Sequence, residues 1–161
     1  KTLPTLGASR REEAAQVAKG GYVVVDAAKP AAVLIATGSE VATLVEGAEL
    51  LAAEGIPVRV VGVPSEGLFR DQSAEYQQSV LPAGVPKFGL TSGLPVTLAG
   101  LVGCDGVTSG LPVNLQGLVG ENGVIHGLDH FGWSAPYKVL DEKFGYNGAT
   151  VAAEVKKMLG K

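Results

Sequence analysis

Three features of the sequence predict a three-layer α/β domain, with helices on both faces of a parallel sheet. Short β-branched runs alternate with helical patterns along the chain, the order that builds such layers. One run, Ala32–Ala36 (AVLIA), is apolar at every position, as a strand covered on both faces must be. A helical pattern and then a further run, Val58–Val63 (VRVVGV), follow it. A crossover helix of that length makes the two strands parallel neighbours with a right-handed connection.

The elements follow in order. Residues 1–8 read as a lead-in. Ser9 with Glu12 forms a capping box for a short helix, and Gly20 supplies its left-handed stop. Tyr22–Val25 is β-branched and aromatic and reads as the first strand, closed by Asp26–Pro30. After the second strand, Ser39 stands where an N-cap belongs and Glu40 at the positive helix end. Val41, Leu44, Val45, Ala48 and Leu51 keep helical spacing up to Gly55. Ser65 and Ser73 each open a short helical piece, the second stopping near Pro82. Phe88–Thr91 is a fourth strand, and Val124–Leu128, after the turn signal Asn122-Gly123, is the last. Ser134, with Pro136 in the first turn, starts a helix running towards Phe144. Asn147 precedes another whose face is Val151, Val155, Met158 and Leu159.

The chain has 161 residues, 46% hydrophobic and 18% charged, enough for one domain with its own core and too apolar for a disordered one. Residues 1–161 therefore read as a single domain. The net charge of -3 and the scattered basic residues leave no footprint for a phosphate backbone, so nucleic acid is not an expected partner. The single cysteine, Cys104, makes no intrachain disulfide and points to a reducing compartment, with the cytoplasm as the expected place. The first sixteen residues hold no signal-peptide stretch, and a start on Lys1 suggests a piece of a longer chain. From Phe88 to Gly120 the only charge is Asp105, yet the glycines and Pro95 and Pro112 interrupt any membrane-spanning helix.

That same region repeats. Gly89–Gly103 (GLTSGLPVTLAGLVG) returns at Gly106–Gly120 (GVTSGLPVNLQGLVG), differing only at Leu90/Val107, Thr97/Asn114 and Ala99/Gln116. Two copies fall short of a solenoid, so residues 89–120 read as a local tandem duplication, too glycine-rich to assign as strand or helix.

Candidate chemistry is sparse. Thr37-Gly38-Ser39 follows a buried strand and opens a helix, where amide groups and the helix dipole favour an anion. The simpler alternative is that Ser39 only caps its helix; no Walker lysine follows, and one glycine is no dinucleotide fingerprint. His126, Asp129 and His130 form an HxxDH cluster, but a strand does not converge the two imidazoles as a helix would, and no further ligand stands nearby. No metal site is expected. Cys104 lies between glycine-rich stretches with no basic neighbour to activate it, and no serine sits in a nucleophile elbow. Phe131, Trp133 and Tyr137 read as packing of the last helices on the sheet. No catalytic or cofactor-binding residue emerges.

Several segments, in order, resemble the C-terminal third of transketolase: LPTL, KGGYVVVDA, VLIATGSEV, LAAEGIPVRVVGVPS, LFRDQSAEYQQSVLP and GLDHFGWSAPYKVLDEKFGY. The most specific are IATGSEV at Ile35–Val41, SVLP at Ser79–Pro82 and DHFGWSAP at Asp129–Pro136. The pyruvate dehydrogenase β subunit and deoxyxylulose-phosphate synthase have a similar last domain, but DHFGxSAP favours transketolase.

The resemblance implies a five-stranded mixed sheet whose first strand runs antiparallel to the rest. It implies a parent that moves a two-carbon ketol unit between sugar phosphates in the pentose phosphate pathway. Thiamine diphosphate and a divalent metal (Mg or Ca) would lie between the parent's two N-terminal domains, across a homodimer interface. This third domain would touch neither, and would help the dimer or bind a regulatory ligand at its strand ends. The doubled TSGLPV segment departs from the family's single short connection, and either copy can take the family's path.

Overall fold

The computed structural model describes residues 15–91, 101, 107–109, 125–126 and 136–161. A 3₁₀ turn at Ala15–Lys19 leads into β1 (Tyr22–Val25), β2 (Ala32–Ala36), α1 (Glu40–Ala53), β3 (Val58–Gly62), α2 (Glu66–Arg70) and α3 (Ala74–Val80). There follow β4 (Lys87–Leu90), β5 (Val107–Ser109), β6 (Ile125–His126), α4 (Tyr137–Phe144) and α5 (Gly148–Met158). The capping box at Ser9 and Glu12 lies outside the described residues, but Gly20 does turn the chain, at φ +80.

The described strands form one sheet in the order β1-β3-β2-β4-β5-β6. β1 is antiparallel to β3, and every other neighbouring pair is parallel. The sheet is mixed with its first strand reversed, as the family resemblance implies, and β2 and β3 are the parallel neighbours the crossover helix requires. It has six strands among the described residues where five were expected. The extra one, β5, comes from the second copy of the duplicated segment, where Val107-Thr108-Ser109 is a run of only three residues between Gly106 and Gly110, too short to be recognised as a strand.

Alternation along β2 divides the core in two. Ala32, Leu34 and Ala36 face the layer of α1 and α5, together with Val58, Val60, Phe88 and Leu90. Val33 and Ile35 face the other layer, with Val61, Phe69 of α2, Val80 of α3 and Leu101. Successive strand side chains point to opposite faces, so an all-apolar strand is one that serves both cores. Each fully buried large side chain, such as Leu34, Leu44 or Phe88, contributes about 1.5–3 kcal/mol by leaving water.

The helices obey their signals with two exceptions. Ser65 and Ser73 accept from the amides of Leu68 at 3.4 Å and Tyr76 at 3.3 Å, and Asn147 accepts from Thr150 at 2.9 Å. Val151 and Val155 are buried on α5, with Met158 and Leu159 packed beside them. α4 begins at Tyr137, with Pro136 at its cap position and extended (ψ 143), one step earlier than the first-turn place the sequence suggests; Ser134 lies outside the described residues. The second exception, Ser39, concerns the site.

Candidate functional site

Ala36 pairs with Leu90, so the C-terminal ends of β2 and β4 lie side by side. The chain leaving β2 enters α1, which packs on one face of the sheet. After β4 the chain reaches Leu101, buried against the other face with Val33 and Ile35. Two adjacent parallel strands whose continuations part to opposite faces open the crevice where α/β sheets receive ligands. Thr37-Gly38-Ser39 continues β2 at that crevice, and Thr91 continues β4.

Gly38 makes the turn with φ +62, in the left-handed region where a side chain is strained. Thr37 is half-buried, whereas Gly38 and Ser39 are exposed. Ser39 is not a cap. Its backbone is already helical (φ -65, ψ -29), and its hydroxyl makes no capping bond, because a capping side chain needs the extended backbone that Ser65, Ser73 and Asn147 have. The first turn of α1 instead closes tightly, Val41 N donating to Gly38 O at 3.4 Å and Ala42 N to Ser39 O at 3.3 Å.

The half-buried Glu40 adds the charge. Its Oε2 lies 3.8 Å from where a Cβ on Gly38 would stand, so the chain brings its own carboxylate to the positive end of α1. Thr91, 3% exposed, accepts through its carbonyl from the Tyr146 hydroxyl at 3.5 Å. Sequence reasoning missed Thr91 as a neighbour of Thr37 because strand adjacency is set by topology and leaves no local signal. Glu40 was legible as a helix-dipole partner, though not as the group nearest the turn.

His126 lies on β6, two strands from β2's neighbour β4, and Asp129, His130, Cys104, Phe131 and Trp133 lie outside the described residues. Among the described residues, no group of three His, Cys, Asp or Glu side chains can hold a metal, and no helix is long and apolar enough to cross a membrane. The groups with shifted titration stand elsewhere. Partial burial lowers the pKa of Lys87, whose Nζ donates to Pro82 O and Val85 O at the start of β4, and burial raises that of Tyr76 on α3.

Comparison with known proteins gives one answer. The profile of the transketolase-like TK C-terminal domain matches residues 20–147. The plasmid transketolase of Cupriavidus necator is 40% identical over 145 residues, 90% of this chain and 19% of that protein. Transketolase 1 of Escherichia coli K12 is 40% identical over 150 residues, 92% of this chain and 20% of that one. Among solved structures, the Pichia stipitis transketolase in complex with sedoheptulose 7-phosphate superposes with a TM-score of 0.76 at 29% identity, over 99% of this chain and 20% of that one. The chain thus spans about a fifth of the length of the relatives it matches. With the profile covering residues 20–147 and both transketolases 40% identical over nine-tenths of the chain, the chain belongs to the transketolase family, as its C-terminal domain.

Proposed function

We propose that this chain serves as the non-catalytic third domain of an enzyme that transfers a two-carbon ketol unit between sugar phosphates, in the pentose phosphate pathway and in the cytoplasm. The observation that carries this reading is the profile match to a C-terminal domain over residues 20–147. In this reading the partners are the parent's two N-terminal domains and a second parent subunit. Thiamine diphosphate and its Mg or Ca ion belong to those domains; when bound, the cofactor supplies the electron sink for breaking and making the carbon–carbon bond. The described residues of this chain offer no ligand cluster for that metal, and no step of the chemistry is assigned to them. The chain's own contribution is a preformed sheet, closed on both faces, against which the catalytic domains are held.

The test is a chimera in which this chain replaces the matching last fifth of Escherichia coli transketolase 1. Retained ketol transfer is the expected result, and a soluble chimera that binds cofactor but cannot turn over would count against the reading. Titration calorimetry of the chain alone with thiamine diphosphate and magnesium gives the complementary check: micromolar binding would overturn the assignment.

A second reading concerns the turn that joins β2 to the N-terminus of α1. We propose that Thr37, Gly38 and Ser39 receive a small regulatory anion there, in competition with the Glu40 carboxylate. Inorganic phosphate should shift the amide resonances of these three residues, and Glu40→Gln should raise the affinity several-fold by removing the competing charge. Resonances that stay fixed in both proteins would remove this role while leaving the domain assignment intact.

A further inference from the structure

The duplicated segment and the sheet share one period. Gly89-Leu90-Thr91-Ser92-Gly93 is followed 17 residues later by Gly106-Val107-Thr108-Ser109-Gly110, and after another 17 by Gly123-Val124-Ile125-His126-Gly127. β4 ends within the first of these, β5 lies within the second and β6 within the third. The three strands are parallel and adjacent, in chain order.

Register sharpens the correspondence. Between β5 and β6, Thr108 faces Ile125 and Ser109 faces His126, each pair one period of 17 apart. Between β4 and β5, Phe88 faces Val107 and Gly89 faces Thr108, a separation of 19, so this pair is slid by two residues. A slide of two preserves which side chains point to which face, whereas a slide of one would reverse them all. The period is also long enough for a short strand plus the dozen or so residues that a parallel neighbour requires for its return. Leu101, in the first copy, is buried against the sheet with Val33 and Ile35.

We infer that residues 89–122 are two tandem copies of one strand-and-crossover unit, interchangeable in the fold, and that the second copy widens the sheet by one strand without being required for it. What makes the first copy the neighbour of β2 lies just upstream of the repeat. Phe88 is 1% exposed, in the core beneath α1; the residue one period later is Asp105. A carboxylate in that place would be buried without a partner, which is strongly unfavourable, so the copy led by Phe88 takes it.

The inference is tested by excising one period. Deleting Gly106–Asn122 joins Asp105 to Gly123 and leaves β4 to pair directly with β6. The expected register is the slid one, Phe88 opposite Val124 and Gly89 opposite Ile125, seen as cross-strand amide and Hα nuclear Overhauser contacts. β6 then moves about 4.8 Å closer to β2, one strand spacing. Deleting Gly89–Asp105 instead joins Phe88 to Gly106 and should give the same contacts from Phe88 and Gly106, with an unfolding midpoint within a few degrees of the first variant. The control is an out-of-step deletion, Gly106–Gly117, which should abolish cooperative unfolding. If both in-step deletions unfold as the control does, or fold without contacts between β4 and β6, the inference is overturned.

Discussion

Gly47 of α1 and Gly148 at the start of α5 meet so closely that a Cβ on Gly148 would stand 2.9 Å from the Gly47 amide nitrogen and 2.7 Å from Glu46 Cβ. The contact sets how near the two helices of one layer approach. Because the obstruction at Gly148 includes α1 backbone, Gly148→Ala should separate the helices and cost about 1–3 kcal/mol, as overpacking does. At Gly47 a Cβ would meet Val151 Cγ1 at 2.7 Å, and Val151 is itself buried. Gly47→Ala gains about 1 kcal/mol of helix propensity, so its net loss should be the smaller of the two. Urea unfolding of the two variants gives the ranking.

Gly20 and Gly55 separate strain from collision. Both have positive φ, +80 and +76, but a Cβ on Gly55 meets nothing within 4 Å, whereas one on Gly20 would collide with the Phe69 amide nitrogen and the Ser65 carbonyl. Gly55→Ala should therefore cost only the left-handed penalty, about 1–2 kcal/mol. Gly20→Ala should cost clearly more, because α2 must shift as well. Thermal unfolding of both should show the larger fall in midpoint for Gly20→Ala.

What the sequence disclosed follows the strength of the local pattern. Val33, Leu34 and Ile35 announced a two-faced strand because no polar residue interrupts them, and Val41, Leu44, Val45, Ala48 and Leu51 marked the buried stripe of α1. β5 stayed hidden because Val107-Thr108-Ser109 is a run of three residues between glycines, too short to signal a strand, and its place is set by pairing with β4. At the candidate site the turn at Gly38 was legible from its residue type. The failure of Ser39 to cap was not, since residue type does not show which side of the helix boundary a serine occupies. The place of Thr91, next after the Leu90 that pairs with Ala36, required the order of the strands.

Arg59 on β3 ties three acceptors together and should matter more than its ion pair. Its Nη1 donates to Ser79 O at 2.6 Å and Val80 O at 3.3 Å, carbonyls at the end of α3 that have no helical partner. Its Nε donates to Asp26 Oδ1 at 2.8 Å. The Asp26 side chain is 64% exposed against 13% for Arg59, so Asp26→Ala should cost less than about 1 kcal/mol. Arg59→Met keeps the apolar stem but leaves the carbonyls without a charged donor, a loss of about 1.5–3 kcal/mol. Arg59→Lys should recover little of it, because one ammonium cannot reproduce the planar fork. Equal losses for Asp26→Ala and Arg59→Met in urea unfolding would show that the ion pair, and not the helix end, carries the stability.

Tyr76 links α3 to the chain ahead of β1 and should make stability fall in alkali. Its hydroxyl donates to Gly21 O at 2.8 Å, its ring meets Phe69 edge-on at 6.3 Å, and Lys19 Nζ stands 4.3 Å above it. Burial raises the phenol's pKa above the usual 10.0, so over that range the folded chain keeps a proton that the unfolded chain has released. The contribution is therefore fully present below pH 10 and is lost as the pH climbs through the folded-state value. Lys87 acts in the opposite sense: its pKa lies below the usual 10.5, so its burial penalty is relieved as the pH rises towards that value. Since Lys87 is common to both proteins, the stability difference between the parent and Tyr76→Phe isolates the phenol. That difference should be about 1 kcal/mol at neutral pH, from the hydrogen bond to Gly21, and should shrink above pH 10. A difference that stays constant or grows through this range would show that the Tyr76 proton is not held by the fold.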